Sequence, residues 1–348
     1  MTVRPGTAGS ARLDELSAPD AGGSNMVLVE TLALGICGTD VEIVNGEYGT
    51  APPGRDRLIL GHESLGRVVH APTGSALDPG DLVVGIVRRP DLVPCANCAA
   101  GEWDMCTNGR YTEHGIKELD GFGAERWVIE PEFAVRVDAT LGIAAVLLEP
   151  ASVLAKAWEH VERIGARARW QPRSVLVTGA GPIGLLAALF GIQRGLEVHL
   201  FDRATTGIKP DLAHQLGAHW HSGEGALDGI GIAPDIVIEC TGASAVVFDV
   251  VGRTARNGIV CLTGLSSGGR RLTVDIGMLN RTMVLENDVV FGTVNANRRH
   301  YESAARVLAA ADRQWLERLV TRRVPLEKWR EALVKGQDDV KVVLDFAH

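Results

Sequence analysis

A glycine-rich turn between a strand-like run and an apolar helical run constrains the fold of this chain most strongly. Ser174–Thr178 is a short apolar run, and the segment Gly179-Ala-Gly-Pro-Ile-Gly follows it directly. In this G-x-G-x-x-G pattern the first glycine permits a tight turn, the second lets a pyrophosphate approach the backbone, and the third lets the helix pack on the strand. The pattern predicts dinucleotide binding; the alternative is a merely tight strand–helix turn.

The acidic residue that ends the next strand-like run bears on the choice of dinucleotide. Asp202 follows Glu197–Phe201, and a carboxylate there accepts hydrogen bonds from the ribose hydroxyls and repels a 2′-phosphate. NAD is therefore favoured, while Arg203 could hold a phosphate and leaves NADP open. The predicted cofactor contacts are Gly179, Gly181, Pro182, Ile183, Gly184, Asp202, Arg203, Thr241, Gly242 and Leu265.

The two halves of the chain differ in pattern. After Pro172, strand-like runs alternate with helical runs, which predicts an α/β fold with a doubly wound parallel sheet. Up to about residue 150, Gly and Pro interrupt short β-type runs, which predicts an irregular all-β unit. Further expected elements are a helix over Gly142–Val161 interrupted by Pro150, a helix over Tyr301–Ala311 and a strand over Val340–Phe346.

Length and charge exclude several classes of protein. A chain of 348 residues corresponds to about two domains. The net charge is −8 with scattered basic residues, which argues against nucleic acid and anionic membranes as partners. With no long uninterrupted apolar window and no leader pattern at the start of the sequence, we expect a cytoplasmic protein.

Three separated residues suggest a metal centre. Cys37, His62 and Glu149 each lie in a segment punctuated by Gly or Pro, and thiolate, imidazole and carboxylate form an acceptable zinc set. Taken singly, a buried thiol, a core histidine and a helix N-cap are the simpler interpretations.

Taken together, these segments resemble the zinc-dependent medium-chain dehydrogenase/reductase family over nearly the whole chain. The signatures are Cys37-Gly-Thr-Asp, Gly61-His-Glu-Ser-Leu-Gly-Arg-Val, Glu149-Pro and the glycine-rich turn. The resemblance implies a GroES-like irregular β-barrel catalytic domain over 1–152, a Rossmann dinucleotide-binding domain over 153–297, and a return to the catalytic domain over 298–348. It also implies Cys37 and His62 as zinc ligands, with Glu63 or Glu149 completing the set.

The resemblance assigns roles around this zinc. Thr39 is expected to accept the proton of the substrate hydroxyl, and Asp40 to receive the second ring N–H of His62. Glu42 stands where a histidine completes the proton relay in liver-type alcohol dehydrogenases, so the last acceptor differs here. Zinc-free members of the superfamily act as quinone reductases or binding proteins, but the retained signature residues argue against that alternative.

A second cysteine cluster matches the structural-zinc lobe of the family with one ligand changed. Cys95, Cys98 and Cys106 are present, and Leu92 replaces the first cysteine of the pattern. Either Asp91 completes a three-cysteine, one-aspartate site for a second Zn²⁺, or the lobe folds without metal. Cys240 and Cys261 lie in strand-like runs and are expected to be core thiols.

Within the family, the chain resembles the glucose 1-dehydrogenase branch, for example at Asn108-Gly-Arg-Tyr-Thr-Glu-His-Gly-Ile and Gly292-Thr-Val-Asn-Ala-Asn. This implies oxidation of an aldose C1 hydroxyl to a lactone with NAD(P); a cyclitol, polyol, amino alcohol or simple secondary alcohol is the alternative substrate. The resemblance also suggests a homodimer or homotetramer. The implied substrate contacts are Arg89, Glu113, His114, Glu149 and Asn295.

Overall fold

The computed structural model describes residues 1–19, 25–223, 226–266 and 271–346. The chain forms two compact units, which we call the split unit (Met1–Ser152 with Asn295–His348) and the continuous unit (Val153–Val294). The structural division places the second boundary after Val294, whereas the sequence interpretation set it after residue 297.

The split unit is built on a mixed β-sheet to which the end of the chain returns. The strand Lys341–Asp345 pairs antiparallel with Val27–Ile36, with Val343 opposite Gly35. This pairing joins residues about three hundred positions apart, which no local pattern encodes. Along the described sheet the strands follow the order Ala134–Arg136, Leu82–Gly85, Glu63–His70, Val27–Ile36, Lys341–Asp345 and Val320–Pro325, and Arg126–Ile129 also pairs with Val27–Ile36.

Shorter elements surround this sheet. The strands Arg88–Arg89, Thr112–His114 and Glu118–Leu119 form a small sheet, and Thr2–Val3 pairs with Leu58–Ile59. The described α-helices are Gly38–Val44, Ala96–Ala99, Arg298–Ala309, Arg313–Leu319 and Trp329–Ala332. The described 3₁₀ segments are Trp103–Met105, Pro131–Phe133, Ala139–Leu147 and Leu326–Lys328.

The continuous unit has a fully parallel sheet, which confirms the predicted doubly wound α/β class. Its four inner strands are largely buried and mostly apolar, as expected for a sheet covered on both faces, whereas its two edge strands are more exposed. Numbered along the chain, their spatial order is 3-2-1-4-5-6, the Rossmann order. Across the described sheet the strands are His219–Ser222, Glu197–Asp202, Ser174–Thr178, Ile236–Glu239, Ile259–Leu262 and Val289–Gly292.

The helix predicted over Gly142–Val161 begins only at Leu148, because the preceding Ala139–Leu147 is a 3₁₀ segment in which Gly142 has a non-helical conformation. The helix predicted over Tyr301–Ala311 is observed as Arg298–Ala309. Pro150 does not interrupt the helix Leu148–Gly165, because it lies in the first turn, where a missing N–H breaks no helical hydrogen bond. The stretch Ala139–Gly165 is long and apolar enough to cross a membrane, but 67% of its most apolar window is buried, as in the core helix of a globular protein. The other described helices of the continuous unit are Pro182–Gln193, Ile208–Leu216, Ala226–Gly229, Ser244–Val250 and Ile276–Glu286.

Candidate active site

Three metal-type donors meet where two neighbouring strands of the split unit run side by side. Cys37 follows one strand and caps the next helix, while His62 and Glu63 stand at the start of the antiparallel neighbour. The donor atoms of these three residues all lie within 4.8 Å of one another. Gly35 faces Glu63 across the pair, and a methyl group there would overlap the Glu63 carboxylate. The glycine before Cys37 therefore makes room for the acidic donor.

Asp40 holds the histidine and the cysteine together. Its side chain is fully buried, with Oδ1 3.4 Å from His62 Nδ1 and Oδ2 accepting a 2.9 Å hydrogen bond from the Cys37 N–H. Burial alone would lower the pKa of His62, but the Asp40 carboxylate and the Cys37 side chain raise it well above its ordinary value. This contact directs Nδ1 of His62 to Asp40, so Nε2 is the nitrogen that would bind a metal after losing its proton.

Glu63 has a cationic partner that the sequence did not reveal. Lys341 donates to Glu63 Oε2, and both side chains are 2% exposed. Burial would lower the pKa of Lys341, but Glu63 and Cys37 raise it, so the lysine is charged. In the sequence, the only sign of this partner is that Lys341 directly precedes the apolar run Val342–Leu344. Without the strand pairing, that lysine cannot be assigned to Glu63.

Glu149 lies near these donors but outside the three-donor set. Burial raises its pKa to about 7, which the charge of His62 opposes and that of Glu63 reinforces. A carboxyl group with this pKa exists in both protonation states near neutral pH. Its role as an exchanging zinc ligand therefore stays a prediction.

The donor chemistry fits zinc. One thiolate, one imidazole and one carboxylate are ligand types that Zn²⁺ accepts, and two of the three donor residues are buried. Thr39 is half-buried and Glu42 is exposed, both on the helix that Cys37 caps. Their expected roles in proton transfer stay predictions.

A polar cluster forms around Glu113, one of the predicted substrate contacts. Its Oε1 accepts from Arg88 Nη2 at 2.9 Å, from Arg88 Nε at 3.1 Å and from Asn295 Nδ2 at 2.6 Å. Arg88 is directly opposite Glu113 in the strand register. Sequence reasoning missed Arg88 and chose its neighbour Arg89, although consecutive residues of a strand face opposite sides.

Arg89 has other partners. Its guanidinium donates to Glu130 and to the Ile86 carbonyl and lies 3.8 Å from the centre of the Phe133 ring. The guanidinium of Arg89 is therefore paired with these groups, on the opposite side of the strand from Glu113. A direct contact of Arg89 with substrate stays a prediction.

His114 is a neutral hydrogen-bond acceptor. Burial, together with the charge of Arg89, lowers its pKa to about 3. Nδ1 lies 2.5 Å from the Asp120 carbonyl oxygen, which can only accept, so Nδ1 carries the proton. The other nitrogen, Nε2, is buried and has no hydrogen-bond partner among the residues that the structure describes. Its contact with substrate stays a prediction.

The cysteine lobe brings together three thiols without the predicted fourth ligand. The sulfur atoms of Cys95, Cys98 and Cys106 lie within 4.8 Å of one another. The Asp91 carboxylate instead accepts from Val93 and Asn108, which accounts for its position outside the set. Leu92 is 99% exposed.

The thiols of the chain have contrasting acidities. Hydrogen bonds from Thr107 and from the Cys98 N–H lower the pKa of Cys95 to about 5, whereas burial raises the pKa of Cys98 to about 11. In the continuous unit, burial raises the pKa of Cys240 to about 12 and that of Cys261 further. The last two are protonated thiols packed in strands or at strand ends.

The glycine-rich turn has the geometry that dinucleotide binding needs. Gly179 has φ +89°, a conformation that side chains disfavour, and a methyl group at Gly184 would overlap the Gly179 carbonyl oxygen. A methyl group at Gly181 would meet no described heavy atom within 4 Å. This leaves open space beside the N-terminus of the helix Pro182–Gln193, whose Pro182 and Ile183 open the first turn.

Asp202 lies next to this turn and is partly neutralised. Its Oδ2 accepts a 2.7 Å hydrogen bond from the Ala180 N–H, and Lys209 Nζ lies 3.7 Å from Oδ1. Arg203 is exposed. Sequence reasoning missed Lys209, which adds a second cation near the predicted ribose contact and weakens the electrostatic case against NADP.

A buried carboxylate shapes the remaining predicted cofactor contacts. Glu239 accepts from the backbone N–H of Thr241 at 2.7 Å and of Gly242 at 3.1 Å. Gly242 has φ +62°, and a methyl group there would overlap the Leu265 carbonyl oxygen. The Thr241–Gly242 turn is therefore fixed against Leu265, a residue that is 74% exposed.

The fold and the donor set define a zinc-type alcohol dehydrogenase architecture. Residues 23–139 match the alcohol dehydrogenase GroES-like domain, which confirms the predicted GroES-like part. Residues 142–346 match the glucose dehydrogenase C-terminus family, over more than half of the chain. The chain belongs to the glucose dehydrogenase family of zinc-dependent medium-chain dehydrogenases.

Several relatives match over nearly full length. The chain is 41% identical over 352 residues to glucose 1-dehydrogenase of Methanocella arvoryzae, covering 99% of this chain and 98% of the relative. It is 40% identical to glucose 1-dehydrogenase of Thermoproteus tenax, with the same coverage. The structure of Haloferax mediterranei glucose dehydrogenase in complex with NADP, Zn and gluconolactone matches with a TM-score of 0.91 and 29% identity, covering 100% of this chain and 99% of that one.

Proposed function

We propose that this protein oxidises the C1 hydroxyl of an aldose such as glucose to the lactone, with hydride passing to NAD(P)⁺ and a proton to solvent. The observation that carries the proposal is the convergence of Cys37, His62 and Glu63 on one point in a chain of this family. The Haloferax relative, solved with zinc, NADP and gluconolactone, supports the same reaction class.

Cys37 and His62 would hold the zinc, with Glu63 or Glu149 beside it. When bound, zinc supplies Lewis-acid chemistry that lowers the pKa of an alcohol. Asp40 fixes the His62 ring, and Lys341 balances the charge of Glu63. We assign Thr39 as the first acceptor of the substrate proton.

The polar cluster of the split unit suits a polyhydroxylated substrate. Glu113, fixed by Arg88 and Asn295, offers a preset hydrogen-bonding group, as does the Asn295 side chain that contacts it. His114 is the next residue of the strand and faces the opposite side, so its contact with substrate stays a separate prediction. Such groups discriminate strongly against analogues that leave them unpaired. This favours an aldose over a simple secondary alcohol; a cyclitol or polyol is the second candidate.

A substrate panel tests the proposal. Purified enzyme is assayed with glucose, galactose, xylose, an inositol and a simple secondary alcohol, each with NAD and with NADP. We expect turnover with at least one aldose and release of its lactone, with NAD preferred because of Asp202. Turnover with the cyclitol but with none of the aldoses would overturn the substrate assignment and leave the reaction class intact.

We also propose a second zinc in the cysteine lobe, held by Cys95, Cys98 and Cys106 with the fourth position left to an outside ligand.

The protein as a whole is proposed to be a cytoplasmic homodimer or homotetramer. An exposed apolar helix supports the assembly. The structure describes every residue of the helix Ile276–Glu286, and none of them is buried. Met278, Val284 and Leu285 are each more than 60% exposed.

A further inference from the structure

A cluster of histidines with one glutamate lies on the continuous unit and includes none of the residues assigned above. Glu197 and His199 belong to the strand Glu197–Asp202, and His219 and His221 belong to the edge strand His219–Ser222. His199 is paired with His219 in the parallel register, and residues two apart on a strand face the same side. The pairing therefore brings all four side chains to one face at the edge of the sheet.

The distances within the cluster match those between the ligands of one metal ion. Glu197 Oε1 lies 3.2 Å from His199 Nε2 and 3.4 Å from His219 Nε2. Around a tetrahedral zinc with bonds of roughly 2.0–2.1 Å, neighbouring ligand atoms are about 3.3 Å apart. The three donor atoms all lie within 4.8 Å of one another, so a single ion can reach them.

His199 is the buried donor of the cluster. Its side chain is 7% exposed, and Nδ1 lies 2.8 Å from His221 Nε2. Nε2 is buried and lies 3.2 Å from Glu197 Oε1, although the angles are not those of a hydrogen bond. Buried polar atoms are normally satisfied, and a metal-bound histidine commonly donates its other ring N–H to a neighbour. His221 is placed to be that neighbour.

We propose that Glu197, His199 and His219 form a binding site for a divalent transition-metal ion of the zinc class, with His221 as a positioning residue that fixes the His199 ring. Two imidazoles and one carboxylate suit zinc, nickel or copper and not the all-oxygen sites of calcium or magnesium. Two of the three donor residues, Glu197 and His219, are exposed, so the ion can enter from solvent and water can fill its fourth position. Bound there, the ion would join the edge strand to its neighbour through side chains.

The test is a zinc titration of the full-length, zinc-loaded enzyme by calorimetry. We expect the wild type to bind one more zinc per chain than the variants His219→Gln and Glu197→Gln. The control is His214→Ala, which removes an exposed histidine of the same unit outside the cluster and should match the wild type. His221→Ala should weaken the added site by about 10–100-fold, the usual effect of losing a group that orients a metal-bound histidine.

Cobalt distinguishes this site from the cysteine-containing ones. Cobalt taken up here should give weak visible bands without the thiolate charge-transfer absorption that Cys37 or the cysteine lobe would produce, and His219→Gln should remove those bands. Melting curves of the metal-free variants check that they fold. Equal zinc stoichiometry and affinity in wild type and His219→Gln, with both folded, would overturn the proposal and show that Glu197 and the histidines only share protons.

Discussion

At the scale of single residues, the buried pair of Glu63 and Lys341 sets the charge beside the metal donors. The sequence motif identified Glu63, because Gly61-His-Glu-Ser is contiguous, but Lys341 is joined to it by strand pairing alone. Arg88 and Lys209 were missed for the same kind of reason. Glu113 and Asp202 were identified from the sequence, but their pairing with Arg88 and Lys209 depends on strand register and loop packing.

The variant Lys341→Met should destabilise the zinc-free protein by about 3–5 kcal/mol, because it leaves the Glu63 carboxylate buried without its counterion. Urea unfolding measures this. Lys341→Arg, which keeps the charge, should lose less, and the double variant with Glu63→Gln should recover much of the loss. A loss in Lys341→Met that the second substitution leaves unchanged would mean that the pair is not the source.

At the scale of elements, the strand–turn–helix unit was the part most fully predictable from sequence. The strand-like run Ser174–Thr178 coincides with the observed strand, and a helix follows the glycine-rich turn as expected, because glycine spacing and apolar runs act locally. The helix through Pro150 was predicted with an interruption that the structure lacks. Proline is compatible with the first turn of a helix. Whether Pro150 breaks the helix therefore depends on where the helix begins, which the sequence does not give.

The glycines of this turn have separable functions. Gly184→Ala should lower stability by about 1–3 kcal/mol, since its methyl group overlaps backbone that cannot move aside. Gly181→Ala should melt like the wild type, because the space beside it is open, yet bind dinucleotide more weakly by filling the pyrophosphate approach. Thermal melting and fluorescence titration with reduced cofactor measure the two effects. Unchanged cofactor affinity in Gly181→Ala would contradict the assignment of the turn.

At the scale of the whole molecule, the sequence predicted the α/β class, and the resemblance supplied the return of the chain to its first unit. The order of the parallel strands was not predicted, since it depends on which strands pair. The assembly could not be predicted either, because it depends on which apolar side chains remain exposed after folding. Those of the helix Ile276–Glu286 are recognised as exposed only in the folded structure.

Placing a charge on that helix tests the proposed assembly. Val284→Glu should convert a dimer or tetramer to smaller species, because it puts a carboxylate into an apolar contact. Light scattering after gel filtration gives the mass, and Val69→Glu, at an exposed valine of the split unit, is the matched control. A monomeric wild type, or a Val284→Glu protein of unchanged mass, would contradict the proposal.

The central claim is that the donors around Cys37 drive aldose oxidation, and glucose-dependent reduction of NAD(P)⁺ by the variant Cys37→Ala tests it most directly. We expect a loss of about 10³-fold or more in kcat, because the Lewis acid is no longer held, with dinucleotide affinity unchanged because the glycine-rich turn is intact. Turnover of Cys37→Ala at a rate near that of the wild type would contradict the account.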